Sequence, residues 1–108
     1  MSESLSWLVS VSGRIDGDRD RDVSTLQDRF VALLQDDDTV TLVRAERPPL
    51  SNAVAAVIRV IATDKHEMRV IAQDAIKRAR MTAGHEVMGE SSFSWTTTSK
   101  EEIEGSSN

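Results

Sequence analysis

The densest run of chemistry-bearing side chains is Gly13-Arg-Ile-Asp-Gly-Asp-Arg-Asp-Arg-Asp22. Asp16, Asp18 and Asp20 have the first, third and fifth spacing of a calcium loop, in which alternate oxygens converge on a hard cation. Such a loop then needs glycine at its sixth position and glutamate at its twelfth. Arg21 and Gln27 stand there instead, and Arg19 and Arg21 cancel the charge that a cation would seek. The pattern therefore predicts a salt-laced loop with no metal and no other cofactor. His66-Glu67 and His85-Glu86 each begin a helical zinc pattern, but neither has a second histidine three residues after the glutamate. With no cysteine in the chain, two histidines make a poor transition-metal set. No serine, histidine and acid combine into a set that the sequence alone can assemble, so no catalytic residue is assigned.

The same charged run can also be read as a phosphate cradle. Gly13, Arg14, Ile15, Gly17 and Arg21 resemble the acylphosphatase signature, a glycine-rich loop after the first strand that ends in Phe-Arg. The resemblance implies phosphate binding through Arg14, Gly17 and Arg21, with Arg21 as the phosphate-binding arginine. The chain departs from it at Asp16, which replaces glutamine, and at Asp20, which replaces phenylalanine. Val40-Thr-Leu-Val-Arg-Ala45 also lacks the asparagine that would position an attacking water. Four aspartates around the cradle would repel an anionic substrate. A non-enzymatic role is the expectation.

The elements that carry these residues follow from periodicity. Leu5, Trp7, Val9 and Val11 alternate with Ser4, Ser6, Ser10 and Ser12, which predicts a strand with one buried face; Leu8 interrupts its serine face. Val23, Leu26, Phe30, Leu33 and Leu34 form the apolar stripe of a helix, with Asp22 or Ser24 as its cap and Gln27 at the capping-box distance from Ser24. Asp36-Asp-Asp38 belongs in the following turn, because acids at a helix C-terminus oppose its dipole. Thr39–Ala45 is a short strand, and Pro48-Pro49 marks a loop.

Ala53–Gly84 is the organising stretch. Val54–Ala62 is rich in β-branched residues and carries one charge, Arg59, as expected of a central strand. Alternation does not decide which of its rows faces the helices. Asp64 and Glu67 then form an acidic capping box, and Met68, Ile71, Ala72, Ala75, Ile76 and Ala79 form one stripe. Gly84 is expected to end this helix. Phe93, Trp95 and Thr97 alternate through a last strand, and residues 100–108 read as a flexible acidic tail.

The order strand, helix, strand, strand, helix, strand predicts an α+β architecture, a four-stranded antiparallel sheet with two helices on one face. It resembles the ferredoxin-like fold over residues 4–99, read as a single domain. RNA-recognition domains share this topology and stack bases on aromatics of the central strands. Here the third strand has no aromatic, Trp7 falls on the core-facing row, and the net charge is −5, which argues against nucleic acid. Lys77-Arg-Ala-Arg80 is explained by its place near a helix C-terminus. Amino-acid-sensing ferredoxin-like domains bind ligands beside a glycine-bearing loop after the first strand, where Gly13 and Gly17 stand. That likeness implies a small-ligand regulatory domain as the alternative function.

The primary expectation is an interaction domain. The fold leaves one sheet face uncovered, and Leu8, Val43, Val57, Arg59 and Ile61 are its candidate interface residues. The expected partner is a second copy, as a homodimer, or another protein. At 39% hydrophobic residues the chain is too apolar for wholesale disorder, and no run approaches a membrane span. With no signal-peptide pattern and no cysteine, a cytoplasmic location is expected. The composition is similar to that of small uncharacterised actinobacterial and phage proteins, a likeness that implies no activity.

Overall fold

The structure, a computed structural model, describes residues 4–15, 20–46, 53–88 and 95–104. The order is β1 (Leu5–Ile15), α1 (Asp20–Asp36), β2 (Thr41–Glu46), β3 (Ala53–Ala62), α2 (Lys65–Met88) and β4 (Trp95–Ile103). The sheet runs β2-β3-β1-β4 with every neighbouring pair antiparallel, and both helices pack on one face. This is the ferredoxin-like fold.

The register settles the rows of β3. Trp7, Val9 and Val11 of β1 pair with Val60, Ile58 and Ala56, and all six are buried in the core beneath the helices. The other row, Ala55, Val57, Arg59 and Ile61, pairs with Ser12, Ser10, Leu8 and Ser6 and faces away from them. From α1 come Leu26, Phe30 and Leu34, each fully buried and one turn apart. From α2 come Met68, Ala72, Ala75, Ile76, Ala79 and Ala83. Small alanines on α2 let both the sheet and α1 approach closely. Arg29 of α1 forms a bidentate pair with Glu86, and Arg78 bonds Asp37 at 2.8 Å, so both ends of the α1–α2 seam carry charge pairs.

The start of α2 follows the expected capping box. Asp64 Oδ1 accepts from the Glu67 amide at 2.8 Å, and Glu67 reaches back to the Thr63 amide at 2.8 Å. Its end differs from expectation. The helix runs through Gly84 to Met88. Ala83 and Gly84 are buried, Val87 packs against the core and Glu86 holds Arg29. Tertiary contacts past Gly84 outweigh its local preference to stop the helix.

Two further boundaries move. Helix α1 begins at Asp20, so Ser24 lies inside it and is not its cap. Residues 100–103, expected in a flexible tail, belong to β4. Lys100, Glu101, Glu102 and Ile103 pair with Ser10, Val9, Leu8 and Trp7, and the Glu104 amide bonds the Ser6 carbonyl at 2.8 Å. The fold therefore extends past residue 99, to Ile103. An acidic segment can hold an edge strand here because its carboxylates find arginines on both sides of the sheet. Among the described residues no helix is long and apolar enough to cross a membrane.

Candidate functional site

Strand register assigns the residues of the open face. One row across it reads Thr41, Arg59, Leu8 and Glu102, and the next reads Arg44, Val57, Ser10 and Lys100. Ile61 and Ser6 lie beside Glu104 at one end, and Ala55, Ser12 and Thr98 lie at the other. Ser12 and Thr98 share a hydroxyl hydrogen bond of 3.1 Å on this face. Ile61 rises from it at 56% exposure, with Leu8 half-buried one strand away.

The expected interface residues separate on inspection. Leu8, Val57, Arg59 and Ile61 share the open face. Val57 is only 1% exposed, so it has almost no area left to give to a partner. Val43 sits at the β-bulge where the β2–β3 register shifts between Leu42 and Arg44. A bulge at an edge strand twists it away from pairing.

Arg59 meets Glu104, which local sequence pattern alone assigns to the tail. Its guanidinium makes two bonds to that carboxylate, at 2.6 and 2.8 Å, and the Ser6 hydroxyl adds a third at 2.7 Å. The Arg59 and Ser6 bonds hold the Glu104 carboxyl down to about 2. A carboxyl depressed on folding stabilises the native state above its unfolded pKa and loses that contribution as pH falls through the folded value. The window here runs from about pH 4.3, the ordinary glutamate value, down to about 2. Thermal melts of the wild type should fall across that window, and Glu104→Gln should flatten this part of the profile. On the other face Arg69 of α2 holds Glu101 of β4 at 3.0 Å and lowers its carboxyl in the same way.

Gln27, at the capping-box distance from Ser24, does not cap α1. It is 6% exposed and points into the sheet. Its Nε2 donates to the Ala55 carbonyl and its Oε1 accepts from the Ala55 amide, both at 2.9 Å. Ala55 pairs with Glu46, the last residue of β2. The side-chain amide thus supplies both bonds that a neighbouring strand would make. A polar residue one turn from both Val23 and Phe30, on the apolar stripe itself, was the available signal.

The remaining candidates do not converge. Trp7 faces the helices, so among the described residues the open face has no aromatic ring for a base to stack on. Its indole Nε1 is buried, with no hydrogen-bond partner among the described residues. His66 and His85 are both exposed and stand nineteen positions apart on α2, roughly 28 Å along the axis. Among the described residues no three of His, Asp or Glu are grouped closely enough to hold a metal ion. Arg14 and Arg21 lie on β1 and in α1 by their backbone. Their side chains, Gly17 and the aspartate run from Asp16 to Asp22 lie outside what the structure describes for side chains.

No protein-family model matches the sequence, and no curated protein matches it. Among solved structures, a de novo designed protein with ferredoxin fold is 22% identical at a TM-score of 0.47, over 95% of this chain and 90% of that one. The de novo designed protein Foldit4 is 11% identical at 0.40, over 91% and 97%. The aminopeptidase PepT from Bacillus cereus is 16% identical at 0.41; this chain matches over 93% of its own length but spans only 29% of that enzyme. Likeness at this level concerns the fold and carries no activity across.

Proposed function

We propose that this protein is a non-enzymatic association domain that pairs with a second copy of itself through the open sheet face. The observation that carries the reading is Ile61, a large apolar side chain at 56% exposure on the face that α1 and α2 leave open. Half-buried Leu8 and the small side chains of Ser6 and Ser10 lie beside it on β1, with the exposed charges of Arg44, Lys100 and Glu102 on the flanking strands. Four strands about 4.8 Å apart, six to eleven residues long, present on the order of 600 Å² in projection. That approaches the roughly 800 Å² per partner of a standard stable interface. Arg59, near the centre, brings its own counter-ion in Glu104, so covering it strands no lone charge. An accessory or phage setting in the cytoplasm, suggested by composition, fits such a role.

Ile61→Asp and Leu8→Asp test the reading by sedimentation velocity. Each should convert a dimer to a monomer while leaving the far-ultraviolet circular dichroism unchanged, because neither side chain is fully buried. A dimer that survives both substitutions rejects this face as the interface.

A further inference from the structure

We infer that a cleft between α2 and β4, on the helix side of the sheet, binds a small oxyanion, the carboxylate or phosphate group of a small molecule. The cleft has a volume of about 260 Å³ and exists because α2 packs over β1 and β3 and leaves edge strand β4 uncovered. Val11 and Ile76 form its floor. Gln73, Lys77 and Arg80 line it from α2 at spacings of four and three, which places them on one side of the helix. Ser99 lines it from β4, on the same row as Glu101.

The charge pattern along this seam gives the ligand its sign. At one end Arg69 is met by Glu101 across the groove. Two residues back along the same row of β4 the acid is replaced by Ser99. Two turns along α2 from Arg69, Lys77 has no ion-pair partner among the described residues. Of the described side chains that line the cleft, Lys77 brings an ammonium, Arg80 a guanidinium, Gln73 an amide and Ser99 a hydroxyl, and none is a carboxylate. Such a set of donors recognises oxygens that bear negative charge. The seam repeats at its open end the arrangement that Glu101 completes at its closed end, and a ligand oxyanion takes the place of the missing side chain.

The test is two-dimensional amide NMR of the full chain titrated with inorganic phosphate and, separately, with butyrate, at constant ionic strength. Saturable shifts confined to residues 73–80 and 98–99 are expected with at least one of them, and the tighter probe distinguishes phosphate from carboxylate recognition. Lys77→Glu, an exposed substitution that spares the fold, should weaken that binding at least tenfold, while Lys65→Glu at the helix start should leave it unchanged. Shifts spread evenly over all basic residues, no saturable shift with either probe, or equal binding by Lys77→Glu would each overturn the proposal. Because the cleft lies on the opposite side of the sheet from Ile61, the result is independent of the dimer reading.

Discussion

Replacing Ile58 by aspartate should abolish the folded state, while the same substitution at Ile61, three residues along the same strand, should leave it intact. Ile58 is fully buried beneath the helices on the central strand β3. An ionised carboxylate there has no cation within the apolar cluster, and burying it unpaired costs several kcal/mol after relaxation. A domain of this size has a total stability of only about 5–15 kcal/mol, and the lost packing of the isoleucine adds about 2–5 kcal/mol. Circular dichroism should show no cooperative thermal transition for Ile58→Asp. Ile58→Val keeps the site apolar and should cost only about 0.5–1.5 kcal/mol. Ile61→Asp puts its charge at a site already open to water, so its melting curve should stay cooperative. Equal damage at both positions would mean that the two rows of β3 are not distinguished as described.

Gln27→Leu is the second large effect. The substitution keeps the apolar stripe of α1 but leaves the Ala55 amide and carbonyl without their partner. Each buried backbone group left unpaired costs about 1–3 kcal/mol, so denaturant unfolding should report a loss of roughly 2–5 kcal/mol. Gln27→Glu separates this cause from packing. The carboxylate can still accept from the Ala55 amide, but it faces the Ala55 carbonyl with no proton to donate. Burial and that carbonyl should raise its pKa in the folded state. A raised carboxyl pKa means that the folded form binds the proton more tightly, so Gln27→Glu should gain stability relative to wild type as pH falls from 7 towards 5. Gln27→Leu should show no such recovery. If Gln27→Leu matches wild type, the paired amide does not support the start of β3.

What could be read from the sequence was whatever short-range pattern encodes. The alternation of Leu5, Trp7, Val9 and Val11 gave the buried row of β1, and the Asp64–Glu67 spacing gave the start of α2, because each depends on neighbours within a few positions. What was missed depends on partners far along the chain. Glu104 reads as tail until Arg59 and Ser6 are placed beside it. Gly84 reads as a stop until Arg29 of α1 claims Glu86 on the next turn. The rows of β3 are both apolar, so only the position of the helices could tell Ile58 from Ile61. The candidate face was legible in outline through Leu8, Arg59 and Ile61. The burial of Val57 and the bulge at Val43 were not, since both arise from how β2 meets β3.

The proposed dimer covers the open sheet face of each chain with a second copy. Native mass spectrometry of the wild-type protein across a range of concentrations tests it most directly. The expected spectrum holds a species at twice the 11.9 kDa chain mass, with nothing else bound on that face, which Ile61→Asp converts to the single-chain mass. A wild-type protein that stays at the single-chain mass at every concentration would contradict it.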